Sequence, residues 1–123
     1  MNELMIVPPA ELEALLLTHP LVGDVGVIGV FSEDQATELP RAYIALKAGY
    51  NSVRNPAAAG MVKQEIMTWV EGKVANHKRL RGGISFVDVV PKSPSGKILR
   101  KDLRVRAKQE LEAGKVVEVK AKL

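Results

Sequence analysis

Gly96-Lys97, within the stretch VPKSPSGKILRKDLR from Val90 to Arg104, has the residue types and spacing to do chemistry. A glycine beside a lysine suits a phosphate, because the backbone can come close and the ammonium can neutralise an oxygen. The P-loop pattern fails here: it needs a glycine at position 91 and a Ser or Thr at 98, where the chain has Pro91 and Ile98. Instead, Pro91 and Pro94 stiffen an exposed connection that also carries Lys92, Ser93 and Ser95, and Gly96 permits unusual backbone angles beside Lys97. Such a loop can aim one long cation away from the body. A cation held that way can stabilise the charge that develops when one anion attacks another, the obstacle in transferring a carboxylate onto a phosphate. An ordinary exposed loop lysine would show the same spacing.

Nothing else in the chain forms a self-contained catalytic set. Serines are present, but His19 and His77 have no recognisable triad spacing with them. His19, before a proline, reads as a helix-end residue and His77 as a cation at a helix C-terminus. No metal site is indicated. The absence of cysteine removes disulfides, thiolate zinc sites and a cysteine nucleophile together.

The elements that must position Lys97 follow from periodicity. Pro8 and Pro9 precede Leu12, Leu15 and Leu16, one apolar stripe of a first helix that His19 and Pro20 end. DVGVIGVF, with Val25, Val27, Ile28 and Val30, predicts a strand, SEDQATELP a polar turn, and RAYIALKA a second strand. GYNSVRNPAAAG mixes Gly, Asn and Pro without apolar periodicity and predicts a surface loop. Met61 to His77 is the strongest helix, with Val62, Ile66, Trp69 or Val70, and Val74 on one face and Lys63, Glu65, Glu71 and Lys73 elsewhere; Trp69 is expected in the core. ISFVDVV, with Ile84, Phe86 and Val89, predicts a third strand, and Ile98 to about Glu112 a third helix. In that helix Leu99, Leu103 and Leu111 supply an apolar face, and Arg100, Lys101, Arg104, Arg106 and Lys108 a basic one. The layout is α+β: a small, mostly antiparallel sheet of about three strands packed with three helices in a single domain over residues 1–123, with a polar tail from 113.

Composition agrees with that layout. The chain has 123 residues, 46% hydrophobic and 26% charged, which suits one soluble globular domain. Aromatic residues are sparse (Phe31, Tyr43, Tyr50, Trp69, Phe86), so aliphatic side chains must fill the core and no aromatic platform exists for stacking bases. The net charge of +4 concentrates in NHKRLRGG and KILRKDLRVRAK, which would attract phosphates at long range, but without recognition motifs a nucleic acid is not the expected partner. No apolar run reaches the roughly 20 residues of a membrane span, and MNELMIVPPAELE lacks the regions of a signal peptide.

VPPAELEALLLTHPLVGDVGVIG, ELPRAYIAL and HKRLRGGISFVDVVPKSPSGKILRKDLR together resemble the C-terminal lid domain of adenylate-forming (AMP-binding) enzymes, especially 4-coumarate:CoA ligases, acyl-CoA ligases and beetle luciferases. The resemblance covers about Val7 to Arg104, in the family's order. It implies the mobile lid of a two-step acid:CoA ligase acting on an aryl or fatty acid. ATP, with magnesium, and coenzyme A would be used by the complete enzyme, and neither is expected to bind the isolated chain tightly. Lys97 occupies the position of the adenylation lysine, in a motif shared with Pro91, Lys92, Ser93, Ser95 and Gly96. The resemblance also implies domain alternation between the two steps, with Lys78, Arg79 and Arg81 as candidate contacts for CoA phosphates.

The large N-terminal adenylation domain of these ligases is missing from this sequence, so a partner supplying it in cis or in trans is implied. The isolated chain is expected to be inactive without it. The lysine and glycine that normally precede the valine of VPPAELE are missing too. An excised lid, a lid acting in trans and a noncatalytic interaction module derived from a lid all fit the residues. Ala121-Lys122-Leu123 resembles the Ser-Lys-Leu peroxisomal address, which implies an import receptor and a peroxisomal location; a cytoplasmic one is the alternative.

Overall fold

The computed structural model describes residues 9–32, 37–47, 56–74 and 79–112. Its elements run α1 (Pro9–Leu16), β1 (Val22–Ser32), β2 (Thr37–Leu46), α2 (Pro56–Glu71), β3 (Gly83–Phe86) and α3 (Arg100–Glu112). The strands form one sheet in the order β1-β2-β3. β1 and β2 pair antiparallel along nearly their whole length, from Val22↔Leu46 to Ser32↔Thr37. β3 joins in parallel through Arg41↔Gly83 to Ile44↔Phe86, and α2 makes the crossover that a parallel connection requires. The α+β reading of three strands and three helices therefore stands.

Helices cover both faces of the sheet. Leu12 and Leu16 of α1, Ile66 and Val70 of α2, and Val25, Val27, Ala42, Ile44 and Ile84 from the strands form the larger core. Ile28 and Tyr43 point to the opposite face, where Leu103 and Ala107 of α3 meet them. Covering both faces makes the centre of β1 continuously buried from Val25 to Ile28, where one solvated face would have given alternation. A register shift between Val22 and Asp24 inserts one residue, which lets Val22 share the inner face with Val25 and Val27.

Several expected boundaries move, each for a local reason. α1 ends at Leu16, and a tightened turn carries the chain on through bonds from Thr18 N–H to Leu15 C=O and from His19 N–H to Leu16 C=O. His19 lies beyond the helix, buried, its Nδ1 accepting the Leu21 N–H. β2 begins at Thr37, so TELP is strand and not turn; Pro40, opposite Gly29, still offers its carbonyl to the Gly82 N–H. α2 starts at Pro56, inside the stretch expected to be a loop, because proline is tolerated in a first turn and the three alanines that follow favour helix. It stops at Glu71, short of His77, with the Gly72 N–H still donating to the Thr68 carbonyl. His77 lies outside the described residues. Trp69 is half-buried, packed on the larger core and edge-on to His19 at 4.9 Å. Among the described residues no helix is long and apolar enough to cross a membrane.

Candidate functional site

β3 ends at Phe86, not Val90, and the chain then bends so that Val89 is 75% exposed while Val90 turns back into the protein. From there it enters a small hairpin built on the motif residues. Lys92 and Ile98 pair across it as an antiparallel bridge. Ser93 and Lys97 face each other: the Ser93 N–H donates to the Lys97 carbonyl at 2.8 Å, and the Lys97 N–H donates to Ser93 Oγ at 3.2 Å. Gly96 N–H closes the turn onto the Ser93 carbonyl at 2.8 Å. Pro94 sits at the second turn position, which suits its fixed φ, and Gly96 has a φ of 88°, the left-handed region that a side chain would strain. The expectation that Pro94 and Gly96 shape this connection is thus met by a defined turn. Ser95 Oγ lies 2.9 Å from Ser93 Oγ, and Lys97 is exposed at the tip.

Both stems of the hairpin are tied to the body. On the incoming side Lys92 Nζ lies 2.7 Å from Asp24 Oδ2 of β1. On the outgoing side the Leu99 N–H donates to the Pro91 carbonyl, and Arg100 then reaches back to α1 and β1. Arg100 Nη2 is 2.6 Å from Glu13 Oε1, and its Nε donates to the Val27 carbonyl at 3.3 Å. Glu13 Oε2 in turn accepts the Val27 N–H at 2.8 Å. Arg100 is therefore no part of an open basic face, and α3 begins at Arg100 because Ile98 and the Leu99 N–H close the hairpin while the Leu99 carbonyl already accepts the N–H groups of Asp102 and Leu103. Leu99 stays partly exposed, and Leu103 with Ala107 supplies the apolar contact; the Leu111 side chain lies outside the described residues.

Gly26 permits the close approach of hairpin stem and helix. A Cβ there would stand 2.7 Å from Leu103 Cδ1 and within van der Waals conflict of Ile98 and Val90.

A polar cluster beside this region escaped the sequence reading. Arg41, buried in β2, donates to the Gly82 carbonyl, to Tyr43 Oη and to Glu110 Oε1 on α3. Tyr43 Oη donates to the same Glu110 oxygen at 2.8 Å, while Ser85 and Arg106 donate to the other. Burial pushes the Tyr43 hydroxyl up to about 12, against the pull of its hydrogen bond with Arg41. For Glu110 burial opposes ionisation, yet the hydrogen bonds from Tyr43 and Arg41 and the Arg41 charge outweigh it and hold the carboxyl below its ordinary range. The cluster fastens the C-terminal half of α3 to the sheet. A buried arginine that opens a β-rich run, RAYIAL, is the one signal that could have found it.

The candidate phosphate contacts fall elsewhere in the chain. Arg79 and Arg81 are half-buried in the turn that leads into β3, and Arg79 Nε is buried without a hydrogen-bond partner. Lys78 and the Ala121-Lys122-Leu123 tail lie outside the described residues, as does the expected polar tail from 113. Among the described residues no group of three or more His, Cys, Asp or Glu side chains could hold a metal ion. The site is thus the exposed Lys97 ammonium on a hairpin anchored at both stems, suited to meeting an anion presented from outside the domain.

The model of the AMP-binding enzyme C-terminal domain family matches residues 11–97, more than half of the chain. An acyl-CoA ligase of Purpureocillium lilacinum, lcsD, is 43% identical over 94% of this chain and 28% of its own length. A luciferin 4-monooxygenase of Luciola mingrelica is 48% identical over 80% of this chain and 16% of its own. Among solved structures, the o-succinylbenzoate CoA synthetase of Bacillus subtilis in complex with its acyl-adenylate intermediate superposes with a TM-score of 0.62 at 30% identity, over 80% of this chain and 18% of that one. The chain spans less than a third of the length of each of these relatives.

Proposed function

Since the chain belongs to the AMP-binding enzyme C-terminal domain family, we propose that it serves as the mobile catalytic lid of an ATP-dependent carboxylic acid:CoA ligase, with Lys97 as the adenylation lysine. The observation that carries this reading is the placement of Lys97, exposed at the tip of a hairpin whose two stems are ion-paired to the body. A free lysine on a slack loop would lose rotamer and backbone entropy on reaching a substrate, whereas this backbone is already ordered.

In the first step a carboxylate oxygen attacks the α-phosphorus of magnesium-bound ATP and pyrophosphate leaves, giving an acyl-adenylate. The ammonium of Lys97 lowers the repulsion between the two anions and stabilises the charge that builds on the phosphoryl oxygens. In the second step the sulfur of CoA attacks the acyl carbon, its thiol proton passes to solvent, and AMP leaves with the electrons of the acyl C–O bond. Lys97 has no task in that step, so the domain turns away and presents another surface, for which Arg79 and Arg81 are the described candidates to meet CoA phosphates. The nucleotide and acyl pockets belong to a large N-terminal partner domain, in cis or in trans, and the acid is of the aryl or fatty class. Ala121-Lys122-Leu123 is proposed as a peroxisomal address, which a fluorescent fusion with and without those residues would test.

The test of the lid reading is complementation. The purified chain, wild type or Lys97→Ala, is added to an acyl-CoA ligase lacking its own C-terminal domain, and ATP- and CoA-dependent thioester formation is followed. Rescue by the wild type alone is the expected result. Equal rescue by both would show an interaction module that works without Lys97.

A further inference from the structure

Taking Lys97 as the adenylation lysine, we infer that Glu13 and Arg100 are positioning residues that fix where the lysine hairpin stands. Among the described residues β1 is an edge strand, and at an edge the N–H and C=O groups of every second residue turn outward without a strand to pair with. Val27 is such a residue: Glu13 takes its N–H at 2.8 Å and Arg100 Nε meets its carbonyl at 3.3 Å, while the two side chains join each other at 2.6 Å. One peptide position on the rigid sheet therefore holds both a helix α1 carboxylate and the guanidinium that ends the hairpin.

Chain connectivity passes this anchoring directly to Lys97. Ile98 is bridged to Lys92 and Leu99 is hydrogen-bonded to Pro91, so no slack remains between the lysine and Arg100. The two anchors are unequal. Lys92 and Asp24 are 38% and 33% exposed, in the range where ion pairs hold little, whereas Glu13 is 10% exposed and its partner 31%. Covering an edge strand needs only a polar cap, and buried ion pairs are weak contributors to stability. What the Arg100 fork adds is a fixed plane, bound through two nitrogens, which a lysine cannot reproduce. The domain then moves with its lysine hairpin already in place.

Two conservative variants of the chain test this, Arg100→Lys, which keeps the charge and loses the fork, and Glu13→Gln, which keeps the size and loses the charge. Amide exchange followed by NMR should accelerate about tenfold at Ser93, Gly96, Lys97 and Leu99, with the amides between β1 and β2 unchanged. In the complementation assay the same variants should lower kcat for adenylation about 10- to 100-fold with KM for ATP unchanged, since a displaced catalytic group costs rate before it costs binding. Exchange at the hairpin that stays at the wild-type rate, or that rises equally across the sheet, would overturn the positioning role. If the wild type rescues, Lys97→Ala fails and Arg100→Lys equals the wild type, the clamp is wrong and the lid reading survives. If the wild type rescues only when joined covalently to the lidless ligase, the lid works in cis and the variants are compared in the joined form; if the joined form fails too, the lid reading falls and the exchange measurement alone decides the clamp.

Discussion

The two faces of the sheet are held by different means. Beneath α1 and α2 the contacts are almost wholly aliphatic, from Leu12 and Leu16 through Val25, Val27 and Ile44 to Ile66 and Val70. Beneath α3 the buried apolar set among the described residues is smaller, Ile28, Tyr43, Leu103 and Ala107 with Val30, Val87 and Ile98 packed against it, and charged groups that reach across the chain add to the fastening. Arg41 with Glu110 pins one half of α3, and Arg100 with Glu13 pins its start beside the lysine hairpin. Hydrophobic burial is non-directional, while a bidentate or multiply bonded charge fixes orientation. The face that carries the candidate catalytic residue is thus the one built for direction, and the opposite face carries the larger apolar core.

That contrast can be broken first where it is strongest. Ile66→Ala opens a cavity in the aliphatic face and should cost about 3 kcal/mol of stability in chemical denaturation. Any chain that remains folded should keep its hairpin exchange pattern. Gly26→Ala attacks the other face, forcing a Cβ against Leu103, Ile98 and Val90. It should cost about 2 kcal/mol as overpacking, and unlike Ile66→Ala it should disturb the hairpin resonances selectively.

Smaller effects sharpen the polar side. Tyr43→Phe removes one donor to Glu110 and should cost about 1 kcal/mol at neutral pH, measured by urea denaturation. Because the folded-state value of Tyr43 is raised to about 12 from 10.0, folding favours its protonated form. That stabilisation is present below pH 10 and is lost as pH rises through about 12, so the wild type should lose more stability there than the Phe variant. Glu110 has the opposite sign. Its folded-state value lies below the ordinary 4.5, so its stabilisation is present above that pH and is lost on further acidification. A Glu110→Gln chain should show a flatter acid limb; an identical limb would mean that the cluster does not hold α3.

The aliphatic face was largely legible in the sequence and the polar face largely was not. Leu12, Leu16, Ile66 and Val70 recur at helical spacing, and short-range periodicity reports burial on one element at a time. Glu13, beside core Leu12, carries no local signal of its role because its partner Arg100 lies 87 residues away. Arg41 and Glu110 are 69 residues apart and equally invisible to a local pattern. Val89 was expected in a strand and proves exposed, since alternation continues past Phe86 in sequence while pairing to β2 does not. Pro94 and Gly96 marked a restricted connection, because proline and glycine act through their own backbones and need no distant partner, but the Lys92–Ile98 bridge that makes it a hairpin had no sequence signal.

If the proposed lid function holds, Lys97 serves adenylation and not thioester formation. The most direct test separates the two half-reactions in the complemented ligase: ATP–pyrophosphate exchange for the first, and CoA consumption from a preformed acyl-adenylate for the second. Lys97→Ala should lower the first about 100- to 1,000-fold, the loss typical of one oxyanion-stabilising group, and leave the second within about a factor of three. Near-normal exchange in the variant, or an equal loss in both half-reactions, would contradict the account.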